Sequence, residues 1–275
     1  MSDTSLSRDV GHGGEPYRLY DRPMLDATAT DEALVRAAAA NQTAWMARVA
    51  EAAGGVVHRE RGVTWMASRA GAVLAFPRVS RAVLDDLLPR FLEGAEGTPE
   101  ASCWSLLPTQ PRELDVVLRS AGFREGWQAR WMALELGAPP RTETPDGVRI
   151  GLASEEWATT ELPWDGPGIA SVRPRLTTAR PRRVWHIAAW RHDVPVGHTI
   201  LNVTTGRLGV AGIYDMGVAP HERRRGIGSA LTSAALEIGL SAGSAYATLN
   251  ATPEGELLYR QLGFRLVGVA QTWWR

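Results

Sequence analysis

Apolar residues follow two spacings along the chain, and each spacing predicts a different element. A period of about 3.6 residues indicates helices, whereas alternation or a short apolar run indicates strands. Helical spacing predicts helices that begin near Asp31, Ser80, Glu113, Ser154, Gly226 and Thr252. Short apolar runs predict strands that begin near Val56, Gly62, Ala72, Cys103, Ala129, Val148, Val184, Val196, Val210, Ala245 and Arg265. Pro163 to Pro181 is rich in proline, glycine and arginine, which predicts a loop.

The order of these elements repeats once and predicts a duplicated α/β (α+β) architecture. Leu118–Arg124 and Tyr259–Arg265 share a helix–Gly-Phe–strand pattern at an offset of 141 residues. The breakers Gly137–Pro140 end the first copy, so we expect domains at 26–137 (the first half) and 141–275 (the second half). Residues 1–25 are polar and glycine-rich, which predicts a flexible N-terminal arm.

Charge and composition exclude several functional classes. Thirty basic and thirty acidic residues balance, so no net field favours nucleic acid or an anionic membrane. All the cations are arginine, which excludes mechanisms that need a lysine amine. The single cysteine excludes disulfides and thiolate-rich metal sites. No apolar run is long enough to cross a bilayer and no signal peptide is recognisable, so we expect a cytoplasmic protein.

The most informative segment is a strand that ends at Val218, a polar loop Ala219–Arg225, and a helix that opens at Gly226. The first helical turn carries little side chain to cover its backbone N–H groups. Unpaired N–H donors at the positive end of a helix dipole form an anion site. Three consecutive arginines add forked donors suited to phosphate, so the segment predicts a diphosphate site.

The spacing identifies the kind of phosphate site. The Walker pattern needs a lysine, and the Rossmann pattern needs a glycine directly after the strand and another where Leu231 lies. The motif is instead Arg223-x-x-Gly226-x-Gly228 after a strand that ends in Val-x-Pro, and Leu258–Phe264 follows about 35 residues later. Together these motifs resemble the GNAT superfamily of acyl-CoA N-acyltransferases over about residues 148–274.

The resemblance implies two GNAT-like domains, each with a mixed, mostly antiparallel central sheet flanked by helices, and acetyl-CoA as cosubstrate. It implies that the Met216 and Val218 backbone pairs with the pantetheine arm and that Val218 N–H faces the thioester oxygen. Tyr259 would protonate the leaving thiolate. The residues expected to contact the cofactor are Met216, Gly217, Val218, Arg223, Arg224, Arg225, Gly226, Ile227, Gly228, Ser229, Asn250 and Tyr259.

Some roles stay open at this stage. Asp215 could act as general base or bind the ammonium group, and an exposed carboxylate at a strand edge explains it equally well. Asn250 could bond the cofactor or cap its strand, and Ser229 could contact phosphate or only fill the helical turn. His186, His192 and His198 are interpreted as surface or substrate-cleft residues and not as a metal site, because strand alternation separates them. His221–Glu222 is interpreted as part of a solvated loop.

The first half lacks the Arg-x-x-Gly-x-Gly motif and has Leu118 where the second half has Tyr259. It is therefore expected to be a degenerate GNAT-like domain with a structural or substrate-shaping role. The resemblance implies an acetyl-CoA-dependent N-acetyltransferase that acts on a primary amine of a small molecule or peptide, and we expect a monomer or homodimer. The alternative is a non-catalytic acyl-CoA-binding or regulatory protein. The acceptor cannot be identified from the sequence.

Overall fold

A computed structural model describes residues 25, 28–107, 110–153 and 168–275. The helices in this part of the chain are α1 (Asp31–Ala52), α2 (Arg81–Gly94), α3 (Leu114–Ser120), α4 (Ile169–Thr178), α5 (Ile227–Ser241) and α6 (Pro253–Gln261). The strands are β1 (Val56–Glu60), β2 (Val63–Ser68), β3 (Gly71–Ala75), β4 (Ala101–Leu107), β5 (Arg124–Glu135), β6 (Val148–Leu152), β7 (Val184–Arg191), β8 (Val194–Val203), β9 (Ala211–Val218), β10 (Tyr246–Ala251) and β11 (Arg265–Trp274).

Two helices begin where threonine predicts a cap. The Thr30 hydroxyl accepts a hydrogen bond from Ala33 N at 3.3 Å, and the Thr252 hydroxyl accepts one from Gly255 N at 3.1 Å. Each bond pairs one of the N–H donors that a helix leaves unpaired at its start. The predicted starts of α1 and α6 are therefore confirmed. The helix predicted over Ser154–Thr160 and residues 1–24 of the arm predicted over 1–25 lie outside the described residues. Leu25, the last residue of that predicted arm, is buried in one cluster with Leu34 and Ala37 of α1.

Helix α4 corrects, over residues 169–178, the prediction of a loop over Pro163–Pro181, of which residues 163–167 lie outside the described part of the chain. Its buried residues Ile169, Val172 and Leu176 form an apolar stripe that packs against α1, β7 and β8. Pro174 lies inside the helix and removes one backbone donor, a cost of about 3 kcal/mol for an interior proline. Packing of the stripe outweighs that cost. The prolines and flanking arginines of this segment are typical of a loop, and they conceal the apolar spacing of the helix in the sequence.

Among the described residues, all the strands form one eleven-stranded sheet in the order β1-β2-β3-β4-β11-β5-β10-β9-β8-β7-β6. The pairs β3–β4 and β9–β10 are parallel and the other neighbours are antiparallel. Helices α1 and α4 cover one face, and α2, α3, α5 and α6 cover the other. The predicted mixed, mostly antiparallel sheet flanked by helices is confirmed. No helix in the described part of the chain is both long and apolar enough to cross a membrane.

The two halves exchange their last strands. Strand β5, from the first half, pairs with β10 of the second half, while β11, from the second half, lies between β4 and β5. The exchanged strands also contribute side chains to the opposite cores. Met132 of β5 packs against α5, and Trp273 of β11 packs against α2 and α3. The division at 138–140 stays a prediction. Each half contributes a strand to the core of the other.

The exchange predicts that Trp273→Ala destabilises the protein by about 3–5 kcal/mol, because it empties a fully buried site in the core of the first half. Urea denaturation measures the loss. Trp127→Ala on β5 is the matched control and should cost under about 1 kcal/mol, since that indole is already partly exposed. Equal small losses for both variants would contradict the placement of β11 between β4 and β5.

Candidate active site

Strands β9 and β10 separate at their carboxyl ends. They pair in parallel from Ala211–Ala247 to Ile213–Leu249, and this fully described part of the sheet has no β9–β10 pair beyond that point. Strand β9 continues to Val218 along β8, and β10 continues to Ala251 along β5. The space between Tyr214–Val218 and Asn250–Ala251 is called the gap below. Parting parallel strands expose backbone hydrogen-bonding groups along the edges that face the gap.

The alternation of backbone groups identifies which residues point into the gap. Ala219 N–H donates to Val196 O at 2.8 Å, on the β8 side. Consecutive N–H groups of a strand point to opposite edges, so Val218 N–H, and likewise Met216 N–H, point toward the gap. These are the two residues predicted to pair with an extended ligand. The geometry is therefore compatible with strand-like pairing of a ligand along this edge.

A β-bulge lies at the start of the gap. Thr199 on β8 faces both Asp215 and Met216, because the register shifts between His198 and Ile200. Asp215 adopts φ +45°, a left-handed conformation that aspartate tolerates better than most residues. The Thr199 hydroxyl donates to Tyr214 O at 3.0 Å and holds the bulge. Bulges re-aim side chains and occur often beside active sites, so the bulge determines where Asp215 points.

The loop after β9 leads to an uncapped helix. A single 3-10 turn covers Pro220–Glu222, and Gly226 at the N-cap of α5 has φ +83°, which a glycine adopts without strain. No side chain caps the first turn, so its N–H groups remain available. A Cβ at Gly228 would lie 3.2 Å from Leu258 Cδ2, so this turn packs closely on α6. The structure thus places the features of an anion site beside the gap.

The three arginines of the loop differ in their contacts. Arg223 Nε donates to Val218 O at 3.1 Å, and Arg225 Nη1 lies 3.5 Å from Glu222 Oε2. Arg224 is exposed and makes no ion pair or hydrogen bond with any residue that the structure describes. Arg223 and Arg225 therefore stabilise the loop in addition to lying near the helix start. The predicted phosphate contacts of all three remain predictions.

Glu222 anchors this loop, and sequence reasoning missed it. Its carboxylate is buried and accepts two hydrogen bonds from Arg191 at the end of β7, Nε to Oε1 at 2.9 Å and Nη2 to Oε2 at 3.2 Å. Arg191 Nη1 also donates to Asp146 O at 2.9 Å. A bidentate pair of this kind fixes geometry as well as charge. The interpretation of Glu222 as a solvated residue is wrong, because its partner lies 31 residues away on a neighbouring strand.

Tyr259 lies on α6, beside the start of α5. Its ring is buried, contacts Phe264 edge-on at 5.7 Å, and shares one apolar cluster with Met216, Val218 and Ile227. Burial raises the pKa of Tyr259 to about 12. The hydroxyl has no hydrogen-bond partner among the residues that the structure describes, and a phenol with this pKa is protonated at neutral pH. The cluster brings the predicted acid, the strand edge and the helix start together.

Two side chains at the gap bond to α1. Asn250 Nδ2 donates to Gln42 Oε1 at 3.1 Å, and the Tyr214 hydroxyl donates to Asn41 Oδ1 at 2.6 Å. Burial raises the pKa of Tyr214 well above its ordinary value. The competing roles of Asn250 remain open, although one of its amide hydrogens is already used. These contacts were invisible in the sequence because 173 and 208 residues separate the partners.

The histidines on β7 and β8 are buried. His186 Nε2 lies 3.0 Å from His198 Nδ1, so the interpretation of these two as surface or cleft residues is wrong. The β7–β8 hairpin brings the two histidines together on the same face of neighbouring strands. Across the ranges that the structure covers, no group of three His, Cys, Asp or Glu side chains could hold a metal ion.

The corresponding position in the first half is closed. Strand β3 pairs with β4 as far as Ala75–Trp104, and Phe76 N donates to Trp104 O at 2.7 Å beyond that pair. The Phe76 ring packs against Trp104 and Trp131 at centroid distances of 6.3 and 6.0 Å. Strand β3 ends at this point, whereas β9 runs on to Val218 beyond its last pair with β10, and aromatic side chains pack beside the end of β3.

Comparisons with known proteins agree with this geometry. The model of the acetyltransferase (GNAT) family matches residues 151–264. A GCN5-related N-acetyltransferase from Kribbella flavida superposes with a TM-score of 0.65 at 21% identity, over 86% of this chain and 94% of its own. A tandem GNAT protein from the clavulanic acid biosynthesis pathway gives 0.57 at 16% identity, over 88% and 96%. No curated protein sequence matches the chain. The structural likenesses confirm the predicted fold.

The anchor predicts that Glu222→Gln weakens CoA binding about tenfold, because the loop loses its charged bidentate bond to β7. Isothermal titration calorimetry with CoA measures the affinity. Glu237→Gln on α5 is the control, since its ion pair with the exposed Arg141 spans 3.9 Å and does not touch the loop. Wild-type affinity in Glu222→Gln would show that the loop holds its shape without this pair.

Proposed function

Since residues 151–264 belong to the acetyltransferase (GNAT) family, we propose that the protein transfers the acetyl group of acetyl-CoA to a primary amine by direct attack. The observation that supports this most is the parting of β9 and β10 next to the uncapped start of α5. A free strand edge and an anion site, adjacent to each other, suit a ligand with an amide-bearing arm and a diphosphate. The acceptor is a small molecule or a peptide, and the reaction takes place in the cytoplasm.

Cosubstrate binding in this proposal uses backbone groups more than side chains. The N–H groups of residues 226–229 bind the diphosphate, and the helix dipole adds favourable charge. Arg224, which is exposed at the loop, supplies a further guanidinium group. The amides of the pantetheine arm bond to Met216 and Val218 as an added strand would. The Glu222–Arg191 pair keeps the loop in place for these contacts.

The chemical step uses two groups of the site. Val218 N–H, which points into the gap, stabilises the negative charge that develops on the thioester oxygen when the neutral amine attacks. One such donor contributes about 3 kcal/mol. Tyr259 donates its phenolic proton to the departing thiolate sulfur, and burial keeps that proton in place at neutral pH. The carbon–nitrogen bond forms first and gives a tetrahedral intermediate, and the carbon–sulfur bond then breaks as Tyr259 protonates the sulfur. The nitrogen releases its extra proton, which restores the phenol of Tyr259.

The amine must lose a proton to react, and Asp215 is the proposed group for this task. The bulge holds its backbone at φ +45° at the start of the gap. A carboxylate there can take up the proton directly or through a water molecule, and it can also bind the incoming ammonium group. Either way Asp215 acts on the acceptor, whereas Tyr259 acts on the leaving group.

Tyr259→Phe is expected to lower kcat by about 10²-fold or more, because the leaving thiolate loses its proton donor. Thiol release from acetyl-CoA with a panel of amines measures turnover, and calorimetry should show unchanged CoA affinity. Tyr246→Phe, another buried tyrosine at the far end of β10, is the control and should keep wild-type rates. Binding of acetyl-CoA without turnover for every amine would instead favour a non-catalytic acyl-CoA-binding protein.

The raised pKa of Tyr259 makes a separate prediction for the pH profile. An ordinary tyrosine loses its proton near pH 10, but burial moves the pKa of Tyr259 to about 12. The acid form therefore persists as the pH rises through 10, and kcat should not fall there. A kcat profile from about pH 7 to 11 tests this expectation. A decline centred near pH 10 in the wild-type enzyme would contradict the role or the burial of this hydroxyl.

A further inference from the structure

Helix α1 of the first half reaches both strands that border the gap. Its adjacent residues Asn41 and Gln42 are buried and contact different strands. Asn41 Oδ1 accepts a 2.6 Å hydrogen bond from the hydroxyl of Tyr214 on β9, and Gln42 Oε1 accepts a 3.1 Å bond from Nδ2 of Asn250 on β10. One rigid helix therefore holds the two strand edges at once.

The two bonded residues stand at the point of separation. Ile213–Leu249 is the last β9–β10 pair, and Tyr214 and Asn250 are the next residue on each strand. Up to that pair the sheet itself fixes the distance between the strands. Beyond it, no backbone pairing between β9 and β10 can do so, and the hydrogen bonds from Asn41 and Gln42 connect the strands to a common support.

The side chain of Asn41 makes several further hydrogen bonds that fix its position. Its Nδ2 donates to Asn202 O at 3.0 Å and to Val210 O at 2.9 Å, and Asn202 Nδ2 donates back to Asn41 Oδ1 at 3.2 Å. A Cβ at Gly212 would collide with the Asn41 side chain, so the glycine leaves room for it. Buried polar networks that are satisfied in this way rigidify their surroundings.

The same helix adds two more contacts with this region, one and two turns further on. Trp45 stacks on the ring of Tyr214 at 5.1 Å with an interplanar angle of 18°. Arg48 Nη1 donates to Asn202 Oδ1 at 2.5 Å. Tyr214 is thus fixed through its hydroxyl and its ring. Each of these contacts joins the first half of the chain to β8 or β9 of the second.

We propose that Asn41 and Gln42 are positioning residues that set the width of the gap and so the geometry of acyl transfer. This inference rests on the proposed function and gives the first half a specific task. The strand edge that carries Val218 N–H and the strand that leads to Tyr259 must keep a fixed separation. Misplacement by about 1 Å can lower a rate by about 10²-fold.

The test removes one bond from each side of the gap. Gln42→Met deletes the acceptor for Asn250 Nδ2, and Tyr214→Phe deletes the donor to Asn41 Oδ1. Gln271→Met is the matched control, because the buried Gln271 Oε1 accepts a 3.2 Å bond from Gln128 Nε2 between β5 and β11, away from the gap. All three variants are made in the full chain. The control removes more hydrogen bonds than either test variant, because Gln271 Nε2 also donates to Gly126 O at 3.2 Å and to Thr272 O at 2.9 Å.

The expected result is a fall in kcat of about tenfold or more for Gln42→Met and Tyr214→Phe, with CoA affinity within about twofold of the wild type. Gln271→Met should keep its kcat. Hydrogen–deuterium exchange provides a readout that does not depend on turnover. Exchange in peptides that cover Tyr214–Val218 and Asn250–Ala251 should rise in the first two variants and not in the control.

Two outcomes would overturn the inference. One is wild-type kcat and exchange in Gln42→Met and Tyr214→Phe, and the other is an equal loss in Gln271→Met, which would indicate a general effect on stability. If the wild-type protein turned over no amine at all, the proposed function would fail. Exchange at the gap would then still decide if α1 holds the two strands.

Discussion

The parting of two parallel strands after Ile213–Leu249 is the constraint on which the rest of the structure depends. Backbone N–H and C=O groups are costly to leave unpaired, so an open strand edge inside a sheet needs another partner. Here the Asp215 bulge, the Thr199 hydroxyl and the Asn41–Gln42 pair all hold the edges apart. In the first half β3 ends with its last pair to β4, so it carries no open edge of this kind, and aromatic rings pack beside its end. The contrast separates an open binding edge from a closed structural one.

The exchange of β5 and β11 makes the first half part of the site. Strand β5 pairs with β10 along the side opposite the gap, and α1 is hydrogen-bonded to Tyr214 and Asn250 where β9 and β10 part. A first half that lacks the phosphate motif can therefore still be required for the proposed activity, because it supplies a strand and a helix to the second half. The two halves carry different motifs but share strands of one sheet. Shared strands explain their combination in one chain better than two halves that fold independently.

Local patterns predicted the fold and the position of the helix start at Gly226, and distant contacts account for what they missed. Glycine spacing, the threonine caps and the apolar stripe of α5 act over a few residues, so they are visible in the sequence. Helix α4 was missed because tertiary packing outweighs the effect of Pro174. Glu222, Gln42 and the exchanged strands depend on partners far along the chain. No spacing rule reports such contacts.

A structure of the protein with bound CoA tests the central claim most directly, because the claim concerns which backbone groups the ligand meets. The account predicts the diphosphate at the N–H groups of residues 226–229, and the amides of the pantetheine arm bonded to Met216 and Val218 along the open edge of β9. CoA bound elsewhere on the protein, or a gap that stays closed to it while CoA binds, would contradict the account.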